Sequence, residues 1–331
     1  MRPSILITRA TFPDVTARLQ AHFDVEDNPA DTPWNRAELT RRLQGKQGVM
    51  STGSERIDAP LLDACPSLKA VCNVGVGYNN IDIAACTARG VLVTNTPDVL
   101  TETTADFGFA LMMATARRIT ESERFLRGGG WTRTGIYDMF IGGDVHGATL
   151  GILGMGRIGQ AIARRGAAGF GMKVIYHNRS RLPEALESAC GARYVDKQTL
   201  LRKADHLVLV LPYSPSAHHA IGAAELSLMK RSATLTNIAR GGIVDDAALA
   251  EALRDQTIAA AGLDVFEGEP DIHPDLFTLP NVVLTPHIGS ASVRTRLAMA
   301  ALTAENLIAA LGLGACAGQP PTPVNPEVLA S

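Results

Sequence analysis

A strand, a glycine-rich turn and a helix in immediate succession constrain this 331-residue chain more than any other feature. The turn has the spacing G-x-G-x-x-G over residues 154–159, directly after the apolar run Thr149–Leu153. In such a turn Gly154 permits the tight bend, Gly156 lets a pyrophosphate approach the backbone, and Gly159 lets the helix pack close to the strand. The pyrophosphate would lie at the positive end of the helix dipole. The segment therefore predicts a dinucleotide site, whose other residues are Met155, Arg157 and Ile158.

The segment after the next predicted strand, Lys173–Tyr176, indicates which dinucleotide binds. Folds that prefer NAD usually carry Asp or Glu here to hold the ribose 2′-hydroxyl, yet residues 171–182 contain no acid. The segment contains instead Asn178, Arg179, Ser180 and Arg181. Because guanidinium groups bind phosphate through paired hydrogen bonds, the two arginines favour a 2′-phosphate. We therefore predict NADP(H) as the preferred cofactor, with NAD(H) possible if both arginines are merely solvated.

Short apolar runs alternate with helical patterns along most of the chain. The predicted strands are Ser4–Thr8, Gln47–Ser51, Ala70–Val74, Val91–Asn95, Thr149–Leu153, Lys173–Tyr176, His206–Leu211, Ala233–Asn237, Ile258–Leu263 and Val282–Thr285. Helical patterns include Trp34–Leu43, Ile81–Arg89 and the C-terminal Ser292–Leu311. Continuous apolar strands with intervening helices are typical of parallel sheets that are covered on both faces. The sequence therefore predicts an α/β fold with doubly wound parallel sheets.

Residues 100–147 interrupt this alternation. Leu100–Arg127 is predicted to be one long helix that starts near Thr101, because its apolar residues recur at helical spacing. The following Trp131–Gly147 is irregular and rich in glycine. A connection of this length usually serves as a functional loop or an oligomer arm, and a mobile surface loop is the alternative.

Composition excludes several classes of protein. Lys and Arg total 31 and Asp and Glu total 33, so the net charge of −2 lacks the basic excess of a nucleic-acid-binding protein. No apolar run approaches the ~18 residues of a membrane span, and the apolar N-terminal run is too short for a signal peptide. The five cysteines form no C-x-x-C pair, which argues against a disulfide framework and a zinc site. We expect free, mostly buried thiols in a cytoplasmic protein, with no metal, no membrane association and no nucleic-acid partner.

Three segments near the ends of later strands carry polar groups suited to chemistry. The segments are Thr236–Asp245, Ala261–Pro270 and Thr285–Ser290. Reduction of a 2-oxo acid by hydride transfer needs a cation for the carboxylate and carbonyl, an acid that protonates the new alkoxide, and a group that tunes the acid. Arg240, His287 and Glu269 meet these three needs. A carboxylate beside His287 would orient the imidazole and favour its protonated form.

The chain resembles the D-isomer-specific 2-hydroxyacid dehydrogenases over essentially its whole length. The motifs that carry the resemblance are Asn73–Asp82, Gly154–Gly159, Asn237–Gly242, Gly262–Pro270 and Pro286–Ser290, in this order. Within the family the chain is most similar to the glyoxylate/hydroxypyruvate reductases, which are sometimes described as 2-ketogluconate reductases.

The resemblance implies a role for individual residues. It places Arg240 on the substrate carboxylate and carbonyl, and it makes His287 the general acid with Glu269 as its partner. The backbone N–H groups of Val74, Gly75, Val76 and Gly77 are expected to bind the substrate carboxylate, because a glycine backbone can approach an anion closely. The resemblance further implies that Thr104, Pro212, Asp264 and Gly289 contact the cofactor, Asp264 at the nicotinamide carboxamide.

The family fold also implies two Rossmann-like domains with the active cleft between them. The substrate-binding domain is expected to combine residues 1–99 with 289–331, and the dinucleotide-binding domain is expected to span residues 100–288. Within the latter, residues 100–147 are expected to form the arm of a homodimer. Related hydroxypyruvate reductases often carry a pair of tryptophans in this arm, but here Trp131 is followed by Thr134 at the second position. The arm therefore does not predict the substrate.

The sequence thus predicts NADPH-dependent reduction of small 2-oxo acids, glyoxylate and hydroxypyruvate, to D-2-hydroxy acids. One alternative is a reductase of 2-ketogluconate or another 2-oxo acid. A second is a dinucleotide-sensing interaction protein, similar to the transcriptional corepressors built on this fold. Formate dehydrogenases carry a glutamine where Glu269 stands, and phosphite dehydrogenases carry a lysine near the position of Val76, which opposes both of those activities.

Overall fold

The computed structural model describes residues 2–330, and these form two compact units. One unit contains residues 2–100 and 292–330, and the other contains residues 101–291. The N- and C-terminal parts of the chain thus share one unit, so the chain passes between the units at residues 100/101 and 291/292.

Strands and helices alternate along both units. The strands are β1 (Ser4–Ile7), β2 (Asp24–Glu26), β3 (Gly48–Ser51), β4 (Ala70–Asn73), β5 (Leu92–Thr94), β6 (Thr149–Leu153), β7 (Lys173–His177), β8 (Ala192–Tyr194), β9 (His206–Leu209), β10 (Thr234–Asn237), β11 (Ala260–Leu263) and β12 (Val282–Leu284). The helices are α1 (Pro13–Gln20), α2 (Arg36–Leu43), α3 (Ala59–Ala64), α4 (Ile83–Ala88), α5 (Thr101–Ala116), α6 (Ile119–Arg127), α7 (Arg157–Arg164), α8 (Glu184–Cys190), α9 (Lys197–Lys203), α10 (Ala223–Leu228), α11 (Asp246–Arg254) and α12 (Val293–Ala310). A π-helical turn over Arg165–Gly169 continues α7.

Each unit contains one fully parallel sheet. The first has five strands in the order β2-β1-β3-β4-β5, and the second has seven in the order β12-β11-β10-β9-β6-β7-β8. Apolar clusters cover both faces of the larger sheet, one around Leu207 and Leu235 and the other around Ile152 and Val208. Parallel sheets bury both faces in this way because crossover helices lie on both sides. The predicted α/β class with doubly wound parallel sheets is confirmed.

The structure corrects the predicted helix over Leu100–Arg127. Two helices occupy this range, because α5 ends at Ala116 and α6 begins at Ile119. Between them Arg118 has φ of 54°, a left-handed conformation that interrupts the helical hydrogen bonds. Its guanidinium binds both carboxylate oxygens of Glu121 at 2.7 Å, which secures the start of α6.

Strand ends and short strands also differ from the expectation. The strand predicted over His206–Leu211 ends at Leu209, and the one predicted over Val91–Asn95 covers only Leu92–Thr94. The edge strands β2 and β8 have three residues each, too few for an apolar pattern to reveal them. Residues 131–147 contain neither helix nor strand, as their irregular composition indicates.

Two predictions about the chain as a whole can be compared with the described residues. None of the helices within residues 2–330 is long and apolar enough to cross a membrane. All five cysteines are free thiols, with Cys65, Cys72, Cys86 and Cys190 buried and Cys316 exposed. The expectation of free, mostly buried thiols is therefore confirmed.

Candidate active site

The three polar segments meet at one edge of the seven-stranded sheet. Strand pairing sets Asn237 of β10 beside Leu263 of β11, and Leu263 beside Leu284 of β12. The strands therefore end at the same level, and the segments that follow them contain Arg240, Glu269 and His287. Ligands of open α/β sheets bind outside these carboxyl ends. We call this group of turns, residues 237–242, 264–270 and 285–289, the catalytic edge.

His287 and Glu269 form a direct pair at the catalytic edge. The Nδ1 atom of His287 lies 2.9 Å from Oε1 and 3.2 Å from Oε2 of Glu269. The His287 side chain is 47% exposed, so its Nε2 side is accessible to a small molecule. This hydrogen bond orients the imidazole, as a general acid requires.

The backbone of His287 is strained. Its φ is 54°, in the left-handed region that residues other than glycine rarely adopt. Such a conformation costs about 1–3 kcal/mol and persists only where the surroundings enforce it. The enforcing group is Asp264, whose Oδ1 accepts from the Ile288 N–H and whose Oδ2 accepts from the Gly289 N–H, both at 2.8 Å.

Asp264 itself is buried, and its carboxylate is fully engaged. The side chain of Thr285 donates a third hydrogen bond, to Oδ1 at 2.8 Å. Burial raises the pKa of Asp264 above its usual range, and the three hydrogen bonds oppose that rise. The resemblance assigns Asp264 to the cofactor carboxamide, and the structure shows in addition that it holds the loop around His287. No spacing rule in the sequence reveals this role.

Arg240 lies in a tight turn, and the position directly after it, Gly241, has no room for a side chain. A Cβ on Gly241 would lie 1.7 Å from the carbonyl oxygen of Phe266, so the turn packs directly against the backbone that leads to Glu269. The Asn237 side chain closes the turn by accepting from the Ala239 N–H and donating to the Arg240 carbonyl. Burial lowers the pKa of the Arg240 guanidinium, and the charge of Glu269 opposes this. Arginine remains a cation under ordinary conditions.

The glycine-rich turn has the geometry that its spacing predicts. Gly154 has φ of 101°, and a Cβ there would lie 2.6 Å from the Leu211 nitrogen. A Cβ on Gly159 would lie 2.3 Å from the Gly154 carbonyl oxygen, so only glycine lets α7 pack this close to β6. Gly156 faces open space at the N-terminus of α7, next to Arg157 and Ile158 in its first turn. The turn therefore fits a bound pyrophosphate.

A second feature fits the nicotinamide dinucleotide. The hydroxyl of Thr104 on α5 is buried, and within residues 2–330 it has no hydrogen-bond partner. Gly289 lies beside it, since a Cβ on Gly289 would be 3.5 Å from the Thr104 methyl carbon. A buried hydroxyl without a partner is costly, and a ligand group can satisfy it. Thr104 and Gly289 were both predicted as cofactor residues, and the structure brings them together near Asp264.

The segment after β7 contains two exposed arginines, one of which is already paired with a carboxylate. Asn178 accepts from the Met155 N–H at 2.7 Å and so ties this segment to the glycine-rich turn. Arg179 and Ser180 are exposed. Arg181, which the sequence analysis counts as a second phosphate-binding cation, instead binds Glu187 through Nε and Nη2, at 2.9 and 2.7 Å.

Glu187 is a residue that the sequence analysis misses. Its Oε1 also accepts from the buried Tyr176 hydroxyl at 2.6 Å, and that hydroxyl accepts from the Leu182 N–H. The hydrogen bonds from Arg181 and Tyr176 lower the pKa of Glu187 to about 2. The group Tyr176–Arg181–Glu187, which we call the loop anchor, fixes the segment that carries Arg179. Its three residues lie on separate elements, so their spacing carries no recognisable signal.

The remaining predicted residues follow strands β9 and β4. Pro212 is exposed and follows the end of β9. Val74, Gly75, Val76 and Gly77 belong to the other unit, after β4. There the Asn73 amide donates to the carbonyls of Gly75 and Gly77, while the N–H groups of Val76 and Gly77 donate no hydrogen bond to any part of the chain that the structure describes. The loop thus has free backbone donors suited to an anion.

The sequence of this chain is similar to those of known proteins over nearly its whole length. Residues 109–289 match the family model of the D-isomer specific 2-hydroxyacid dehydrogenase NAD binding domain. The chain is 49% identical to a glyoxylate reductase of Thermococcus onnurineus, over 99% of this chain and 98% of that protein. It is 46% identical to glyoxylate/hydroxypyruvate reductase B of Yersinia pestis, over 94% of this chain and 95% of that protein.

Solved structures of reductases also match the fold of this chain. An NADPH-dependent glyoxylate/hydroxypyruvate reductase from Sinorhizobium meliloti, solved in complex with NADP and malonate, matches with a TM-score of 0.86 and 38% identity. The match covers 98% of this chain and 97% of that one. A glyoxylate reductase from Paecilomyes thermophila matches with a TM-score of 0.87 and 32% identity, over 98% and 99% of the two chains.

Proposed function

Because the chain belongs to the D-isomer specific 2-hydroxyacid dehydrogenases, we propose that it is an NADPH-dependent reductase of small 2-oxo acids. The substrates are glyoxylate and hydroxypyruvate, and the products are the corresponding 2-hydroxy acids, of D configuration where a stereocentre forms. The observation that carries the proposal is the His287–Glu269 pair beside Arg240, in the same unit as the glycine-rich turn. The names of the relatives support the choice of substrates.

The chain's own groups divide the work between binding and proton transfer. Arg240 binds the substrate carboxylate and polarises the carbonyl, because partial burial of its cation reduces the competition from water. The reduced nicotinamide supplies the hydride when the cofactor is bound. His287 donates a proton from Nε2 to the carbonyl oxygen as negative charge develops there. Glu269 holds the imidazole through Nδ1 and stabilises its positive charge.

The preference for NADPH rests on the segment after β7. Arg179 and Ser180 are exposed, and residues 171–182 lack the carboxylate that would repel a 2′-phosphate. Arg181 is held by Glu187, so Arg179 is the arginine we assign to the phosphate. A guanidinium and a hydroxyl together satisfy several phosphate oxygens.

The substrate carboxylate has a second set of donors in this proposal. The N–H groups of Val76 and Gly77 suit an anion because both are free of hydrogen bonds within residues 2–330. Replacing Gly77 with proline removes one donor and is expected to raise the KM for glyoxylate more than it lowers kcat.

We also infer that the chain forms a homodimer in the cytoplasm through residues 100–147. Within this range Ile136 and Tyr137 are 82% and 88% exposed, and Trp131 is 59% exposed. Exposed apolar residues that cluster in one segment usually mark an interface. Sedimentation of the intact protein tests this: a single species of 35.0 kDa contradicts the dimer.

Initial rates of NADPH and NADH oxidation with glyoxylate and with hydroxypyruvate test the proposed function. We expect fast NADPH oxidation with at least one of the two acids and a lower kcat/KM with NADH. A preference for NADH would contradict the role of Arg179 and leave the reductase intact. No turnover with either cofactor would contradict the proposed substrates, and larger 2-oxo acids such as 2-ketogluconate would then be assayed.

A further inference from the structure

The structure brings together two histidines and a glutamate that the sequence does not connect. His218 and His219 lie in the loop after β9, and Glu267 follows β11. The sequence analysis expects no metal site, and Glu267 lies 48 residues beyond His219 in the chain. In the structure one donor atom from each lies within 4.8 Å of the other two.

The donor atoms converge on the Glu267 carboxylate. The Nε2 atom of His219 lies 2.8 Å from Oε2, and the Nε2 atom of His218 lies 3.8 Å from Oε1. The two imidazole rings stack with their centroids 3.9 Å apart. In a tetrahedral site with metal–ligand distances of about 2.1 Å, neighbouring donors lie about 3.4 Å apart. The two observed nitrogen–oxygen separations lie on either side of that value.

Each imidazole also has a polar group behind its other nitrogen. The Nδ1 atom of His219 lies 3.7 Å from Oδ2 of Asp245, and the Nδ1 atom of His218 lies 3.4 Å from the Tyr213 hydroxyl. Histidines that bind metals almost always present their second nitrogen to a carboxylate or another acceptor, which fixes the ring and the tautomer. Within residues 2–330 the imidazole of His218 has only two polar contacts, 3.4 and 3.8 Å long, so neither is a short hydrogen bond.

The charge around the cluster favours a cation. Asp245 faces His219, and the buried carboxylate of Asp246 accepts from the Glu267 N–H at 3.0 Å. Three carboxylates thus surround two imidazoles. All three side chains of the cluster are partly exposed, at 43%, 36% and 42% for His218, His219 and Glu267, so an ion can reach them from solvent.

We propose that His218, His219 and Glu267 bind a divalent ion of the zinc type, with Asp245 and Tyr213 orienting the two imidazoles. Two imidazoles and one carboxylate suit Zn²⁺ and related ions. The ion joins the loop after β9 to the turn that leads to Glu269. It also stabilises the turn that contains Arg240, because the backbone N–H of His219 donates to the Gly242 carbonyl at 2.7 Å. This site is separate from the His287–Glu269 pair and does not depend on the proposed reductase activity.

Calorimetric titration of the full-length protein with zinc chloride tests the proposal. The parent for all variants is Cys316→Ser, because the exposed thiol would otherwise bind zinc. We expect one zinc ion per chain in the parent. His218→Gln and Glu267→Gln should each weaken binding by at least about tenfold, since even the loss of an orienting group typically costs 10–100-fold. Asp245→Asn should weaken it less.

Two histidine variants serve as matched controls. His146 is exposed and lies outside the cluster, so His146→Gln should bind zinc as tightly as the parent. His287→Gln should also retain binding, which separates the cluster from the catalytic edge. The proposal is overturned if the parent binds no zinc, if His218→Gln binds as tightly as the parent, or if only His287→Gln loses binding. Circular dichroism of each variant confirms that its fold is intact.

Discussion

Two regions of the seven-stranded unit handle their functional side chains differently. At the catalytic edge the buried carboxylate of Asp264, only 2% exposed, binds two backbone N–H groups and so imposes the backbone conformation of His287. After β7, side chains hold one another: the loop anchor joins Arg181 to Glu187 and Tyr176, while Arg179 stays in solvent. In the proposed function, chemistry thus depends on a rigid backbone, whereas cofactor choice depends on exposed side chains. Substitutions should therefore be severe in the first region and mild in the second.

His287→Ala should produce the largest loss. It removes the proposed proton donor, so kcat for glyoxylate reduction should fall by about 10²–10⁴-fold. NADPH binding, followed by the fluorescence of the reduced cofactor, should be unchanged, because the glycine-rich turn and the segment after β7 are untouched. A variant that keeps full turnover would remove His287 as the acid.

Asp264→Asn tests whether backbone positioning at the catalytic edge matters as much as the comparison implies. In the native protein the Asp264 carboxylate accepts hydrogen bonds from two backbone N–H groups. The asparagine side chain turns its NH₂ group, a donor, toward one of them, so that hydrogen bond is lost and the left-handed conformation of His287 loses support. We expect kcat to fall by about 10–100-fold, as for the loss of one or two charge-assisted hydrogen bonds. Asp255→Asn, at an exposed acid of the same unit, is the control.

If Asp264→Asn instead raises only the KM for NADPH, Asp264 binds the cofactor, as the family resemblance suggests. If the variant behaves as Asp255→Asn does, neither role stands. The ratio of the effects on kcat and KM therefore distinguishes the two interpretations of this residue.

Arg179→Ala should affect cofactor choice and little else. Loss of one charge-assisted hydrogen bond to a phosphate, worth about 1.5 kcal/mol, corresponds to roughly tenfold weaker NADPH binding. NADH binding and kcat should stay within experimental error, since Arg179 lies apart from the catalytic edge. Arg202→Ala, another exposed arginine of this unit, provides the control. Equal losses for both cofactors would contradict the assignment of Arg179 to the 2′-phosphate.

The sequence predicted the features that obey short-range rules. The α/β class, the glycine-rich turn and the dehydrogenase family are confirmed, because strand periodicity and the G-x-G-x-x-G spacing arise within a few residues of chain. Arg240, Glu269 and His287 could be predicted as candidate catalytic residues because each lies in a polar segment that follows an apolar strand. The structure shows the pairing of His287 with Glu269, while the roles of the three residues stay predictions.

What the sequence could not reveal depends on contacts that only the fold shows. Arg181 and Arg179 look equivalent in the sequence, and only the fold shows that Glu187 of α8 occupies Arg181. The hydrogen bonds of Asp264 to Ile288 and Gly289 are likewise visible only in the fold, whereas its predicted contact with the cofactor stays a prediction. The break at Arg118 was missed for a different reason, since the composition of residues 100–127 is helical on both sides of it.

The smallest effect should come from Glu187→Gln, which tests whether the charge of Glu187 holds the loop anchor and the segment after β7 in place. The pKa of Glu187 is about 2 in the folded protein, below its ordinary value of 4.5, because Arg181 and Tyr176 donate hydrogen bonds to the carboxylate. A carboxylate with a lowered pKa stabilises the fold fully above its ordinary pKa and loses that contribution as the pH falls through the folded value. The parent should therefore be more stable than Glu187→Gln at neutral pH, and the difference should shrink between about pH 4.5 and pH 2. Urea unfolding of both proteins at several pH values measures the difference directly, and other acids cancel because they titrate alike in the two proteins. A difference that does not change with pH would mean that packing, rather than charge, holds the segment that carries Arg179.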